Sequence, residues 1–220
     1  MTKHVESFGV GFWIRVQLSA PPPFSIVGVP HSLRDPEKVM STTTQTHLMT
    51  VEEFMNLDDD DSHRHELIKG ELLTMPVAKR LHGRVTANLT MLLLQHARAN
   101  RLGEVVAESG YHLESDPDTV LGPDVSFVSK DREMDLDGYY PGPPDLAIEV
   151  LSPGDRKGYV ERKLAIWLET GTRSVWLVNP RRRTVEVISS LSDRRTLHET
   201  DELVDDTVPG FRVKVSEIFA

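Results

Sequence analysis

The chain has 220 residues, of which 39% are hydrophobic and 27% charged, so it can form one globular domain with its own core. It has no cysteine, which excludes disulfides and thiolate metal sites and makes a reducing cytoplasm the expected location. No apolar run is long enough to span a bilayer, and the net charge of −9 argues against strong non-specific binding of nucleic acid by one chain.

Residues 1–47 differ in composition from the rest of the chain. A Pro-Pro-Pro run and the polar stretch Ser41–Thr46 favour extended or disordered chain. Met40 opens a segment that looks like a natural protein start, so the residues before it are interpreted as either a disordered arm or an upstream, wrongly assigned start. The predicted organisation is an N-terminal extension over 1–47 and one folded domain over 48–220.

The folded part is predicted to begin with a short helix and a hairpin. Thr50, with Glu53 three residues later, forms a capping-box pattern for a helix. The acidic run Asp58–Asp61 is interpreted as a solvated turn rather than a metal site, because the residue spacing of a calcium loop is absent. The sequence HELIKGELLTM places apolar runs on both sides of Lys69 and Gly70, which predicts a β-hairpin with a positive φ at Gly70.

A long helix and a series of strands are predicted to follow. Apolar residues recur at helical spacing from Leu81 to Asn100, and Gly103 falls just after them. The later predicted elements are strands at Val105–Leu113, Val125–Val128 and Leu146–Leu151, a helix at Tyr159–Glu169 stopped by Gly171, strands at Val175–Val178 and Thr184–Ser189, and a short strand with a last helical turn close to Phe219. This order predicts a mixed α/β (α+β) fold, with a central mixed β-sheet flanked by helices.

Two carboxylates lie in apolar surroundings. Asp124 follows a proline just before a strand, and Glu149 lies inside the apolar strand LAIEV. Because side chains alternate along a strand, Asp145 and Glu149 share one face. Burying a glutamate is costly unless a divalent cation or a basic side chain pairs with it. Lys163 in the next helix is a candidate for that group, although a lysine at such a position more commonly extends its amine into solvent.

Asp124 followed by Glu149 on the next strand resembles the acidic pair of the PD-(D/E)XK nuclease superfamily. Leu151 stands where that pattern normally has a lysine, and Lys163 fits the branches in which the lysine has moved to the following helix. More narrowly, the chain from about Thr50 to Phe219 resembles the Uma-two family of restriction-endonuclease-like bacterial proteins. The motifs that carry this resemblance are HELIKGEL, the helix opening at His82, GPDVSFV, PDLAIEVLSP, Lys163, Gly171 and VWLVNP. At two positions, Ser174 and Asn179, that family more often has acidic residues.

The resemblance implies a restriction-endonuclease-like fold and a metal site. Asp124, Glu149 and the main-chain carbonyl of Val150 would hold Mg²⁺ (or Mn²⁺), which would polarise the scissile phosphate and activate a water. Lys163 would orient that water or stabilise charge growing on the phosphate. The implied partner is nucleic acid, with DNA as the expected substrate; no membrane is involved, and a homodimer is one arrangement open to an enzyme that cuts both strands.

The same resemblance points to further candidate residues. It implies an acidic residue on the hairpin near the site, and of the two available we favour Glu66 over Glu71, which is otherwise a solvated hairpin position. His82 either hydrogen-bonds phosphate or a site carboxylate, or caps its helix. Asp145 is either an acid next to the site or a residue of a structural turn.

Three functions are compatible with these patterns. The favoured one is a metal-dependent phosphodiesterase acting on DNA. The others are a catalytically silent nuclease fold used for binding or regulation, and a structural protein in which Asp124, Glu149 and Lys163 form a buried ion network. Arg181–Arg183 form the one basic cluster, which suits a solvated turn better than a phosphate contact, and Trp167 and Trp176 are expected in the core.

Overall fold

The structure is a computed structural model that describes residues 47–57, 63–135 and 137–220. The predictions for residues 1–46 and for the acidic run Asp58–Asp61 fall outside these residues. No helix within the described ranges combines the length and the apolar character that a membrane crossing requires.

The described residues form four α-helices and thirteen β-strands. The helices are α1 (Val51–Met55), α2 (Arg80–Asn100), α3 (Lys157–Glu169) and α4 (Val215–Ile218). The strands are β1 (His63–Ile68), β2 (Glu71–Pro76), β3 (Gly103–Ala107), β4 (Tyr111–Glu114), β5 (Thr119–Leu121), β6 (Val125–Ser129), β7 (Tyr140–Pro141), β8 (Leu146–Val150), β9 (Ser174–Asn179), β10 (Thr184–Ser190), β11 (Asp193–Leu197), β12 (Glu202–Val204) and β13 (Arg212–Lys214).

The strands are arranged in two main sheets and a small ribbon. The larger sheet has six strands in the order β11-β10-β9-β8-β6-β3, and the smaller has five in the order β2-β1-β5-β4-β7; β12 and β13 pair with each other. Within the larger sheet β8 and β9 are parallel and connected through α3, whereas the other neighbours are antiparallel. The fold is therefore mixed α+β with mixed sheets, as the order of elements predicts.

The larger sheet carries a hydrophobic core on each face. On one face, Leu146 and Ile148 of β8 belong to a core that includes Val85 and Leu89 of α2. The opposite core contains Ala147 of the same strand, with residues of α3 and of the smaller sheet. The predicted alternation of β8 is confirmed: even-numbered residues contribute to the α2 core, and odd-numbered ones face α3.

The hairpin of β1 and β2 has the turn that the sequence predicts. Ile68 pairs with Glu71, and the two turn residues Lys69 and Gly70 have φ of 54° and 77°. A β-carbon at Gly70 would lie only 2.6 Å from the β-carbon of Leu48, so the turn requires glycine for its conformation and for space. This short connection fixes the register that determines which residues of β1 face the interior.

Other predicted boundaries were wrong. The single strand predicted over 105–113 is two strands, β3 and β4, in different sheets, because Glu108 takes a positive φ of 54° and turns the chain between them. The left-handed residue after α2 is Arg101, not Gly103, which already belongs to β3. Strands β5, β7, β11 and β12 were not predicted. They are two to five residues long, too short to give a clear periodic pattern.

Candidate functional site

Asp124 lies immediately before β6 and is held against the end of β8. Its N–H donates to the carbonyl of Ile148 at 3.0 Å, and its Oδ2 accepts the N–H of Val150 at 2.7 Å. The main-chain N–H and C=O of one strand residue point to the same side, so the Val150 carbonyl also points towards Asp124. The Asp124 side chain is only 5% exposed, and Arg64 Nη1 donates to its Oδ1 at 3.0 Å.

His82 is buried in the first turn of α2 and contacts the same carboxylate. Its Nε2 lies 3.2 Å from Asp124 Oδ2. Burial alone would lower the pKa of His82, but the Asp124 carboxylate outweighs burial and raises it. Likewise, burial would raise the pKa of Asp124, but His82, Val150 N–H and Arg64 together lower it. His82 therefore contacts a site carboxylate, whereas the residue at the helix cap is Lys79.

Glu149 points from β8 towards α3. Trp167 Nε1 donates to its Oε1 at 2.8 Å, and Lys163 Nζ lies 2.8 Å from Oε1 and 2.9 Å from Oε2. Burial raises the pKa of Glu149 to about 7; Lys163 opposes this rise, and the charges of Asp124 and Glu66 add to it. Asp124 and Glu149 thus lie close enough for their charges to interact.

Lys163 forms an ion pair with one acid of each main sheet, Glu66 of β1 and Glu149 of β8. Its Nζ donates to Glu66 Oε1 at 2.8 Å as well as to Glu149, and only 8% of its side chain is exposed. Burial would lower the pKa of Lys163, but the two carboxylates raise it, so the amine is charged. Tyr159 donates its hydroxyl hydrogen to the other oxygen of Glu66. One lysine therefore pairs with two acids, buried Glu66 and half-buried Glu149.

These side chains line one open cavity of about 590 Å³ between β8, the hairpin and the beginnings of α2 and α3. Its acidic, basic and histidine lining residues are Arg64, Glu66, Lys79, His82, Asp124, Glu149, Asp155, Arg156 and Lys163. Four are basic and four acidic, with one histidine, so the cavity is close to neutral in a chain with a net charge of −9. An anionic ligand meets less repulsion here than the overall charge suggests.

The donor chemistry of the cavity fits a hard divalent cation. Asp124, Glu149 and the Val150 carbonyl offer oxygen ligands, and Mg²⁺ commonly uses one or two carboxylates and takes its remaining ligands from water. In residues 47–57, 63–135 and 137–220, no three histidine or carboxylate side chains are grouped as metal ligands. The carboxylates of Asp124, Glu66 and Glu149 are instead paired with Arg64, His82 and Lys163.

Comparison with protein-family models identifies the family. The model of Uma2, described as a putative restriction endonuclease, matches residues 51–216. The chain belongs to the Uma2 family. The resemblance predicted from the sequence motifs is thereby confirmed. A search of curated proteins gave no match.

A solved structure shares the fold of this Uma2 protein. It is the crystal structure of a putative nuclease belonging to DUF820 from Anabaena variabilis ATCC 29413, with a TM-score of 0.69 and 20% sequence identity. The match covers 78% of this chain and 97% of the other. At this identity the similarity establishes the fold alone.

Two cavity residues of this Uma2 protein, Arg64 and Tyr159, were missed in the sequence, and Trp167, a core residue that contacts the site, was assigned only a core role. Arg64 was not considered, although it lies two residues before Glu66 and therefore on the same face of β1. Tyr159 and Trp167 lie four residues either side of Lys163, which places all three on one stripe of α3. Trp167 is in the core as expected, but its indole N–H also binds a site carboxylate.

Other acidic candidates lie elsewhere in the Uma2 fold. Glu71 is exposed on β2, 3.8 Å from Arg162, and is absent from the cavity lining. Asp145 accepts the N–H of Ser129 at 2.8 Å and pairs with Arg132 at 3.1 Å, at the opposite end of β8 from Val150. Asp145 is therefore part of a structural turn.

The two positions that depart from the usual Uma2 pattern have local partners. Ser174 donates to Asp205 Oδ2 at 2.5 Å, and Trp176 Nε1 donates to the same oxygen at 2.7 Å. Asn179 accepts the N–H groups of Arg181 and Arg182, which closes the turn between β9 and β10. Asn179 thus gives the basic cluster a turn structure, which agrees with the interpretation of that segment as a turn.

Proposed function

We propose that this Uma2 protein is a metal-dependent nuclease that hydrolyses phosphodiester bonds of nucleic acid, with DNA as the substrate. The observation that carries the proposal is the meeting of Asp124, Glu149 and Lys163, from three elements, in one open cavity. The same arrangement supports membership of the PD-(D/E)XK superfamily, with the lysine placed on α3.

Each residue has a role that follows from its contacts. Asp124, held by Val150 N–H and His82, is a fixed carboxylate, and Glu149 is a second one at the same cavity. These two and the Val150 carbonyl would hold Mg²⁺ or Mn²⁺. The chemistry that such a cation supplies is polarisation of the phosphate and acidification of a water.

Lys163 and Glu66 act together in this proposal. The Lys163 amine is charged and its side chain is almost fully buried, so it is suited to stabilise negative charge on a phosphate oxygen or to orient the attacking water. Glu66 and Tyr159 fix the position of that amine by hydrogen bonds. Glu66 is therefore a positioning residue, and His82 has the same function for Asp124.

The paired state of the carboxylates favours a second candidate function, a catalytically silent module that binds nucleic acid. Arg64 is already paired with Asp124, which His82 also contacts, and Lys163 is shared between Glu66 and Glu149. In this alternative the ion pairs stabilise the cavity, and nucleic acid is held by basic residues at its mouth.

Cleavage assays distinguish the two functions. Plasmid, single-stranded DNA and RNA are incubated with the protein and Mg²⁺ or Mn²⁺, using wild type, Asp124→Asn and Glu149→Gln. We expect cleavage of DNA by wild type and a loss of at least about 100-fold in both variants. The matched control is Asp145→Asn, which alters a buried, arginine-paired carboxylate outside the cavity and should retain cleavage.

The outcome also tests how the protein assembles. Linear plasmid as the first product, with a molecular mass of two chains by light scattering, would support a homodimer that cuts both strands. Cleavage retained by both cavity variants would overturn the proposed site. Binding of DNA without cleavage under any of these metals would favour the silent module.

A further inference from the structure

Arg64 is the more exposed of the two cations, Arg64 and Lys163, that pair with cavity carboxylates. Its side chain is 29% exposed, whereas that of Lys163, the other cation bound to cavity carboxylates, is 8% exposed. Lys163 is fixed by two acids, and one of them, Glu66, is itself fixed by a hydrogen bond from Tyr159. Within residues 47–57, 63–135 and 137–220, Arg64 has one ion pair, the 3.0 Å contact from Nη1 to Asp124 Oδ1. Of the two, Arg64 is therefore the one that can leave its carboxylate.

The two oxygens of Asp124 have different surroundings. Oδ2 accepts the Val150 N–H at 2.7 Å and lies 3.2 Å from His82 Nε2, so it is tied to the protein frame. Among the described residues, Oδ1 accepts a hydrogen bond from Arg64 alone. A cation that uses Asp124 as a ligand needs this oxygen. Arg64 and a divalent cation therefore compete for one position, and their like charges repel at such a distance.

Once displaced from Asp124, the Arg64 side chain is suited to bind a phosphate. The guanidinium group carries five N–H donors in a planar array that matches the oxygens of a phosphate, and it stays charged at any physiological pH. The side chain is anchored on β1 beside the cavity, so on leaving Asp124 it remains at the place where a phosphate would bind.

From these contacts we propose that Arg64 is an exchangeable counter-ion. Its guanidinium neutralises Asp124 while no metal is bound, and it moves to a phosphate oxygen of the nucleic acid when a divalent cation takes its place. This inference rests on the proposed nuclease function. It adds a residue that links metal binding to substrate binding. Without the metal, Arg64 occupies the Asp124 oxygen that the metal would bind.

Titration of the metal alone tests the exchange without any activity measurement. Mn²⁺ is titrated calorimetrically into the full chain as wild type, Arg64→Gln and Arg64→Lys. We expect Arg64→Gln to bind Mn²⁺ about 10-fold more tightly, because the competing charge is gone. Arg64→Lys keeps a cation near Asp124 and should stay within about threefold of wild type; these fold-changes are of the size expected for one displaced ion pair.

Arg132→Gln is a closely matched control. Arg132 is 33% exposed and pairs at 3.1 Å with Asp145, which is 5% exposed, as Asp124 is. This pair lies outside the cavity, so Mn²⁺ affinity should not change. Thermal unfolding gives a second readout: Arg64→Gln should melt below wild type in EDTA, and saturating Mn²⁺ should remove most of that difference.

The outcomes separate the exchange from the nuclease proposal. If wild type binds Mn²⁺ and Arg64→Gln binds it equally or more weakly, the exchange is wrong and the metal site stands. If Arg64→Lys tightens binding as much as Arg64→Gln, charge competition is not the cause and the exchange is also wrong. If neither wild type nor Arg64→Gln binds Mn²⁺, the metal site fails and the exchange fails with it.

Discussion

Lys163 illustrates how a buried charge is retained. Its amine pairs with buried Glu66 and half-buried Glu149, and the Tyr159 hydroxyl donates to Glu66. Each acid needs the lysine as its counter-ion. Removing one partner of such a cluster is more damaging than removing all of it, since uncompensated charge stays in a poorly solvated place.

Lys163→Met should therefore reduce the free energy of unfolding by about 3–5 kcal/mol, because buried Glu66 and half-buried Glu149 lose their counter-ion. Adding Glu66→Gln to that variant should recover part of the loss. Urea denaturation monitored by tryptophan fluorescence measures both. The control is Lys69→Met, which breaks the exposed 2.6 Å pair with Glu114 and should cost less than about 1 kcal/mol. Equal losses in the two lysine variants would contradict the buried network.

Asp205 gives the expected pH dependence at a single residue. Burial would raise its pKa, but the donors Ser174, Trp176 and Thr207 lower it below the ordinary value of 3.8. A carboxyl group with a lowered folded pKa stabilises the protein above its unfolded pKa, and this contribution disappears as pH falls through the folded pKa.

Asp205→Asn should accordingly be less stable than wild type at pH 6, and the difference should shrink as the pH falls below about 3.8. Urea midpoints at pH 6, 4.5 and 3 measure this. The stability difference should shrink because the protonated aspartic acid and the asparagine are both neutral at low pH. A difference that stays constant across the three pH values would show that Asp205 acts by packing rather than by charge.

At the scale of elements, the hairpin of β1 and β2 determines which residues reach the cavity. Because side chains alternate along β1, the two-residue turn at Lys69 and Gly70 fixes the register that points Arg64 and Glu66 to the cavity side. A shift by one residue would expose both. The turn is thus a structural requirement of the site, although it lies at the far end of the strand.

Gly70→Ala should reduce the free energy of unfolding by about 2 kcal/mol, because alanine is disfavoured at a φ of 77° and its β-carbon would approach Leu48. Gly83→Ala is the matched control. Gly83 lies in α2 with no atom within 4 Å of an added β-carbon, so this change should increase stability by about 0.5–1 kcal/mol. Thermal unfolding of the two variants should shift in opposite directions; shifts of the same sign would contradict this account of the turn.

Strand β8 combines structural and proposed chemical roles in five residues. Leu146, Ala147, Ile148 and Val150 belong to the two cores, and Glu149 and Val150 line the cavity. Asp124 lies at the same end of β8, immediately before β6, because β6 is antiparallel to β8. The cavity therefore lies where the apolar pattern of the strand ends and polar groups can reach solvent.

At the scale of the whole molecule, the folded unit is expected over 48–220. The family match covers 51–216, and the three hydrophobic cores of the described residues include no residue before Met49. The role of residues 1–47 as a disordered arm or a wrongly assigned start stays a prediction.

A chain that begins at Met40 should therefore unfold cooperatively at a temperature within about 2 °C of the full chain, since it keeps every residue of these cores. Differential scanning calorimetry of the two chains measures this. A clearly lower unfolding temperature for the shorter chain would show that the preceding residues stabilise the domain. Mass spectrometry of the native N-terminus adds a separate test, because a peptide from 12–34 would exclude the later start.

The sequence alone was sufficient for the order of most elements, the hairpin turn and the family. These depend on local patterns: helical spacing in α2, alternation in β8, and a Lys-Gly pair between two apolar runs. It also singled out Asp124, Glu149 and Lys163, because charged groups in apolar segments need partners. The roles assigned to these residues stay predictions.

Only the tertiary structure decided which partners meet. It brought Glu66 rather than Glu71 to Lys163, placed Asp145 in a structural turn, and brought Arg64 to Asp124 across 60 residues of sequence. It also divided one predicted strand between two sheets. Spacing within a segment records which side of a helix or strand a residue occupies, but the neighbour on that side is set by the packing of distant elements, which no local pattern encodes.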